Sequence, residues 1–394
     1  MAQTGLYGSD RTARVTVVIA GDEYGGSRTP GISQYSYDSD VLQLGDPCSV
    51  VLSNPRGALN GKIRMGDPLE LFVADPDVGG GASTRKLKGI VTSRQAASSD
   101  GSGTTVTVGG ADLGWHLGNN AAPLWFRLRG IKFQTLLQKV LDPSWGFAGV
   151  RAENDTNRRL KLGRAGAIRS IQGTFDQFIP PIQIEPGEMI ADVLILYAKR
   201  ERRLVNVSAD GYLQIWAPAK NQTALYTFHY HRSDEASRTK NNVLRATLSD
   251  AIDGLYTDVI CVGTVLRPPD QGNANDPNEG QFRGTYTARG PSGPLPFVRR
   301  LTFSDGEQLT KKLAADRARW KAERGLFDAR QYVIQVRGHS QGGVFFEPDT
   351  TAEVHDSVNG IEGVLYVSGV RYNRDAKTGL VSTLTLRRPN LLGA

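Results

Sequence analysis

The sequence predicts a mainly β protein with an α+β insert: two related β-barrel domains, residues 1–112 and 242–394, flanking a small α+β domain at 113–241. Three observations predict it. Glycine occurs 45 times and proline 19 times among 394 residues, with few long amphipathic runs, which favours many short strands and turns. Residues 331–389 read as one antiparallel unit of alternating, β-branched and aromatic segments. The plan of that unit occurs a second time near the N-terminus. The chain is also longer than the roughly 250–300 residues that one core usually serves, so several domains are expected.

From the N-terminus, residues 1–10 are a loose start, 14–20 a strand and 25–31 a turn-rich loop. Tyr35 and Tyr37 alternate with polar residues and so face one side of a strand over 33–37. Residues 46–52 and 66–73 are further strands, and the glycine tract at 79–83 is a flexible hairpin connection. Residues 88–94 and 104–108 flank a hairpin tip at 98–103. From Leu113 the texture changes. Phe133, Leu136, Leu137 and Val140 stand at helical spacing until Asp142 and Pro143 end the run. Residues 144–186 are polar and lack a period. Ile190, Val193, Leu194 and Tyr197 share one face of a helix over 186–199, and 203–207 with 212–216 form a hairpin around Asp210 and Gly211.

Residues 243–249 and 256–263 read as the first strands of the second barrel. The stretch 267–280 is too rich in turn residues to pack and is expected as an exposed loop. A helix is expected at about 305–324, capped by Ser304 or Asp305, with Leu309, Leu313 and Trp320 as its apolar residues and Gly325 as its stop. The closing unit then runs through strands at 331–336, 351–355, 363–372 and 380–386, with turn residues at 373–379. Its plan matches the N-terminal one: 66–73 stand where 348–354 stand, 88–94 match 365–371, and 104–108 match 382–386.

The net charge of +7 arises from 47 basic and 40 acidic residues that are interspersed, with only short clusters such as 199–203. That is a solvated surface rather than a nucleic-acid groove, and the excess positive charge suits assembly against an acidic partner. Cys48 and Cys261 lie far apart within apolar segments, which fits buried free thiols better than a disulfide or a metal site. The first residues carry no basic region followed by an apolar core, so no signal peptide is expected, and no run of about 18 apolar residues marks a membrane span. Folding in a reducing cytoplasm is expected.

Gly338-His-Ser-Gln-Gly342 is a literal G-x-S-x-G, the pattern of a hydrolase nucleophile elbow. An elbow requires a helix after the serine, and residues 343–348, with glycine, β-prone residues and proline, do not make one. His355 is the single histidine downstream, and no alternating βα pattern precedes the motif. Catalysis by Ser340 is therefore the minor reading. Among His116, His229, His231, His339 and His355, the pair His229 and His231 would place both rings on one side of a strand, but no third ligand stands at zinc spacing. The acidic pairs Asp22 with Glu23, Asp38 with Asp40 and Asp75 with Asp77 read as turn residues. No phosphate-binding loop appears. Trp115, Trp125, Phe126 and Trp145 suggest an inter-domain core or a stacking platform. No catalytic, cofactor-binding or metal residue is assigned.

Several motifs, in order, resemble the Mu-type baseplate hub family (tail-protein-P-like) of contractile-tailed phages. They are Gly66-Asp-Pro-Leu-Glu-Leu with Lys88-Gly-Ile-Val, Glu188-Met-Ile-Ala-Asp-Val-Leu, Asp210-Gly-Tyr-Leu-Gln-Ile, and Asn242-Val-Leu-Arg-Ala-Thr-Leu-Ser-Asp-Ala. Ala315-Asp-Arg-Ala-Arg-Trp320 and the closing Gly369-Val-Arg-Tyr with Arg387-Arg-Pro389 complete the set. The resemblance implies two tube-like barrels per chain and a homotrimer whose six barrels form a pseudo-sixfold ring. Such a ring would join a hexameric tail tube, or a distal tail protein, to a trimeric spike, with baseplate wedge proteins alongside and DNA passing through the channel. It implies no cofactor and no catalysis, and a place in the virion tail baseplate after assembly in the bacterial cytoplasm. A hub of a tailocin or secretion-system machine would share the fold. The spike is expected as a separate chain. Loops at 21–32, 79–85 and 267–297 are the candidate contacts with neighbours.

Overall fold

In the computed structural model, the residues described are 14–25, 31–99, 103–122, 127–128, 136–137, 140–153, 182–184, 186–200, 203–216, 218, 222–232, 241–264, 281–290, 293–305, 311–375 and 379–391. The chain is mainly β, with a mixed α+β region between two related sheet halves.

The first half contains β1 (Arg14–Ile19), β2 (Asp22–Gly25), β3 (Ile32–Asp40), β4 (Pro47–Ser53), β5 (Pro68–Ala74), β6 (Ser83–Ser99) and β7 (Gly103–Asp112). Alternating burial along β1, β4 and β5 puts Val15, Val17, Val50, Leu52, Leu69, Leu71 and Val73 into one core. Tyr35 and Tyr37 face that core together, as their spacing predicts. Asp22 and Glu23 open β2, and Asp38 and Asp40 lie in β3, so two of the three acidic pairs expected in turns belong to strands.

The middle region holds α1 (Gly114–Asn119), β8 (Arg127–Leu128), β9 (Gly149–Glu153), β10 (Ile182–Gln183), α2 (Ile190–Arg200), β11 (Leu204–Val207) and β12 (Tyr212–Trp216). β11 and β12 form the expected hairpin, with Gly211 at φ 84°, and β9 adds to β12 in parallel. Leu136, Leu137, Val140, Ile190, Val193 and Leu194 are buried in a common core with Leu113 and Leu117. Trp125, Phe126, Phe133 and the side chain of Tyr197 lie outside the described residues, as do most of 144–186 and all of the 267–280 excursion.

The second half contains β13 (Tyr226–Tyr230), β14 (Val243–Asp250), β20 (Arg330–Arg337), the short hairpin β21 (Ser340–Gln341) and β22 (Val344–Phe345), and β23 (Thr350–Asp356), β24 (Ile361–Asp375) and β25 (Gly379–Arg387). β13 precedes the expected boundary at 242 yet pairs with β23. Between β14 and β20 sits a separate layer: β15 (Asp258–Thr264), β16 (Gln281–Thr287), the small hairpin β17 (Arg289–Gly290) and β18 (Gly293–Pro294), and β19 (Arg300–Asp305), covered by α3 (Lys311–Ala329).

This layer corrects two sequence expectations. Residues 256–263 do not join the barrel; β15 pairs with β16 and β19 in a sheet of its own. Alternation alone cannot tell which sheet a strand joins. Ser304 and Asp305 belong to β19, Leu309 lies outside the described residues, and the helix, described from Lys311, runs through Gly325 to Ala329 and leaves Leu313 43% exposed. Its buried stripe is Ala314, Ala318 and Ala322. A Cβ on Gly284 of β16 would sit 1.9 Å from the Ala315 nitrogen, so helix and strand touch through their backbones and large apolar residues do not fit.

Candidate functional site

The two halves repeat one another strand by strand. The first is ordered β3-β4-β7-β6-β5-β1, and the second β14-β20-β25-β24-β23-β13. The last strand differs, since β1 runs antiparallel to β5 and β13 parallel to β23. Three local devices also repeat. The β6–β7 and β24–β25 hairpins match at a constant offset of 276 residues, with closing pairs Ser99–Gly103 and Asp375–Gly379. Each carries its bulge at the same place, between Val91 and Ser93 and between Val367 and Gly369. The β3–β4 and β14–β20 pairs share a bulge as well, between Ile32 and Gln34 and between Val243 and Arg245. Finally, Gly66 N–H donates to the Val91 carbonyl at 2.8 Å and Asp349 N–H to the Val367 carbonyl at 2.9 Å, both residues at positive φ (87° and 59°). The repeat read from the sequence has the right strands in the right order, but its offsets of 277 and 278 for these hairpin strands slip by one and two residues.

The halves meet in a seam. β24 is long enough to pair with β23 over its first part and with β3 over its second, from Gly369 opposite Asp40 to Arg374 opposite Tyr35. Tyr372 faces Tyr37 across the ladder, both buried, with ring centroids 5.9 Å apart and edge to face. On the outer face, Arg371 Nε donates to Asp38 Oδ2 at 2.7 Å. That carboxylate also raises the guanidinium's pKa.

The Gly338–Gly342 motif lies in this seam. Ser340 is 1% exposed, and its Oγ donates to Asp75 Oδ2 of the other half at 2.7 Å. A strand turn and a hairpin follow it, not a helix. His339 is fully buried and stacks on Tyr372 at 4.4 Å. Ser382 Oγ donates to the Gly338 carbonyl, so the His339 Nδ1–H donates to Ser382 Oγ at 2.8 Å and Nε2 accepts from the Tyr35 hydroxyl. Burial holds this imidazole neutral, lowering its pKa to about 3. The serine's partner is thus a carboxylate, and the histidine's partners are a phenol and a second serine. Lys86 adds a further tie, its Nζ 2.9 Å from Glu347 Oε1 and 3.9 Å from the Phe345 ring centroid. Burial lowers the Lys86 pKa, against the opposing pull of Glu347.

The other residues singled out from the sequence fall elsewhere. His229 and His231 do share a side, and pairing of β13 with β23 brings His355 onto the His229 ring at 4.9 Å. That third ring comes from far along the chain, which is why spacing did not find it. Among the described residues no group of three His, Cys, Asp or Glu is arranged to hold a metal ion. His116 stacks on Trp145 at 5.3 Å, and Trp145 packs against the middle core. Cys48 and Cys261 are buried free thiols. Asp46 and Asp112, which the sequence did not flag, are buried side by side at the ends of β4 and β7. Burial, and the charge of Asp112 beside Asp46, raise their pKa values well above the usual carboxylate range. No helix among the described residues is long and apolar enough to cross a membrane.

No protein-family model and no curated protein sequence matches the chain. Solved structures do. A tail protein from Neisseria meningitidis MC58 is 19% identical with a TM-score of 0.73, covering 96% of this chain and 98% of that one. The fold is that of phage tail proteins. The 43 kDa tail protein of prophage MuSo2 from Shewanella oneidensis is 16% identical with a TM-score of 0.69, over 96% and 99%. An Escherichia coli type VI secretion component, described as similar in structure to the T4 tail proteins gp27 and gp5, is 10% identical with a TM-score of 0.51, over 96% and 78%.

Proposed function

We propose that the chain is the central baseplate hub of a contractile phage tail, of the Mu type, acting as a structural adaptor rather than a catalyst. Three copies form a ring of six similar halves that meets the hexameric tail tube on one side and a trimeric spike on the other. Wedge proteins surround it and DNA passes through its channel. The observation that carries this reading is the repeat of one six-strand order within a single chain, which lets threefold symmetry approximate sixfold. The division into a first barrel, an α+β insert and a second barrel belongs to the same proposal, with β13 counted in the second barrel. Its place is the virion tail baseplate, reached after assembly in the host cytoplasm.

The likeness to the type VI component supports a second reading, a hub of a tailocin or secretion machine with the same ring. Native mass measurement of the full chain, alone and mixed with a trimeric spike protein from the same source, tests the adaptor. Three hub copies per spike trimer are expected, and a hub that stays monomeric in the presence of the spike overturns the reading.

A further inference from the structure

The repeat leaves one seam made and one unmade. β3 is covered by β24, but its counterpart β14 ends the sheet with no strand on its outer side among the described residues. Likewise the second part of β24 is covered by β3, whereas among the described residues β6 beyond Val91 pairs with β7 alone. The two open edges are the counterparts of the two strands that meet inside the chain.

We propose that β14 of one copy pairs antiparallel with the second part of β6 of the next copy, in the register of the internal seam. Carried across by the shared bulges and hairpin ends, that register sets Arg94 opposite Asp250, Gln95 opposite Ser249, Ala96 opposite Leu248 and Ala97 opposite Thr247. The chemistry at these positions agrees. Arg94 has a buried Nε without a partner and only a 3.4 Å contact to Asn60 through its Nη2, and the seam delivers a carboxylate to it. The Asp250 side chain is 62% exposed and keeps a loose 3.5 Å contact to Arg330. Ala96 and Leu248 stand where Tyr372 and Tyr37 stand inside the chain, on the core-facing side of their strands, opposite the buried Val106 and Tyr332. Met65 and Val358, 76% and 43% exposed, lie in the loop before β5 and the turn after β23, whose counterparts, the residues before β23 and the β5–β6 hairpin, are tied together at the internal seam by Glu347 with Lys86. Open strand edges are natural templates for a further strand, and a closed ring removes them. The contact is head to tail, so it either closes or runs on as a filament. Closure at three copies rests on the hub reading; the register does not.

The test uses the full chain carrying Ala96→Cys and Leu248→Cys under mild oxidation, since facing residues in antiparallel strands lie within disulfide reach. The expected result is a disulfide-linked product that stops at three chains, while Ala97→Cys with Leu248→Cys, on opposite faces, yields little. Chains that are trimeric by native mass but form no matched disulfide overturn the seam and leave the hub reading standing. Matched disulfides that extend past three chains keep the seam and overturn the closed ring. Independently, Arg94→Glu is expected to weaken association about fivefold per seam and Asp250→Arg to restore it in the double variant. Failure of that rescue, with both variants folded, also overturns the register.

Discussion

The two sheet halves share a strand order but not an environment, and the difference shows which features belong to the fold and which to its neighbours. Bulges, hairpin ends and the positive-φ residue before β5 and β23 recur because they set register, and register decides which face each side chain occupies. Side chains at equivalent places diverge according to what covers them. Tyr372 and Tyr37 are buried against one another, whereas Ala96 and Leu248 face an open edge. In the first half Asn54 braces its own loop, accepting from Leu59 N–H at 2.8 Å. In the second half Ser340 reaches across to the other half instead.

The largest effect is expected at the made seam. Tyr372→Ala removes a fully buried ring and its 2.5 Å bond to the Phe346 carbonyl, and is expected to cost about 3–5 kcal/mol by denaturant unfolding. Ala96→Ser at the matching position is expected to stay within about 0.5 kcal/mol in the monomer. Equal costs would mean that the two edges are not different in kind.

Ser340→Ala is expected to lose about 1–3 kcal/mol, because it withdraws a buried donor from Asp75. Neither form is expected to hydrolyse a chromogenic ester. Hydrolysis by the native chain that vanishes in the variant would return Ser340 to a nucleophile's role.

A third contrast concerns charge. The first half buries Asp46 and Asp112 where the second half carries Arg330 and Arg388. Burial raises the Asp112 carboxyl from 3.8 to about 7. Between those values the folded chain holds a proton that the unfolded chain has released, so stability is greatest below the lower value and falls as pH rises toward 7. Asp112→Asn keeps an acceptor for the Gly114 N–H, now at 2.7 Å, and is expected to flatten this slope in melting curves taken from pH 4 to 8. An unchanged slope would assign the titration to another group.

A smaller effect than at the buried sites is expected at the shared turn. Gly66→Ala meets no atom within 4 Å, so its cost of about 1 kcal/mol is that of backbone strain at positive φ. Gly66→Asn is expected to cost less, since asparagine tolerates that conformation as Asp349 does at the matching place.

The strands of both halves, the α2 helix and the hairpin at Gly211 were legible because alternation, helical spacing and turn residues are local signals. The repeat was legible as an order of strands. Its register was not, since bulges at Thr92 and Ser368 shift pairing without a residue type that announces them. The small residues of α3 misled for a similar reason: Ala314, Ala318 and Ala322 face the sheet because Gly284 brings the two backbones together, and that glycine lies far from them in sequence. That no helix follows the Gly338–Gly342 motif was legible in residues 343–348, but nothing local named Asp75 or Tyr35 as partners.

By itself the sequence determined a mainly β chain carrying one plan twice, because the periods that make strands and turns are written residue by residue. Only the tertiary structure decided that β15 joins a sheet of its own, that Ser340 and His339 tie two halves together, and that β14 and β6 keep open edges among the described residues. Those outcomes depend on pairings between residues a hundred to three hundred positions apart, where the free energy lies in burial and in the satisfaction of backbone groups that no local pattern encodes.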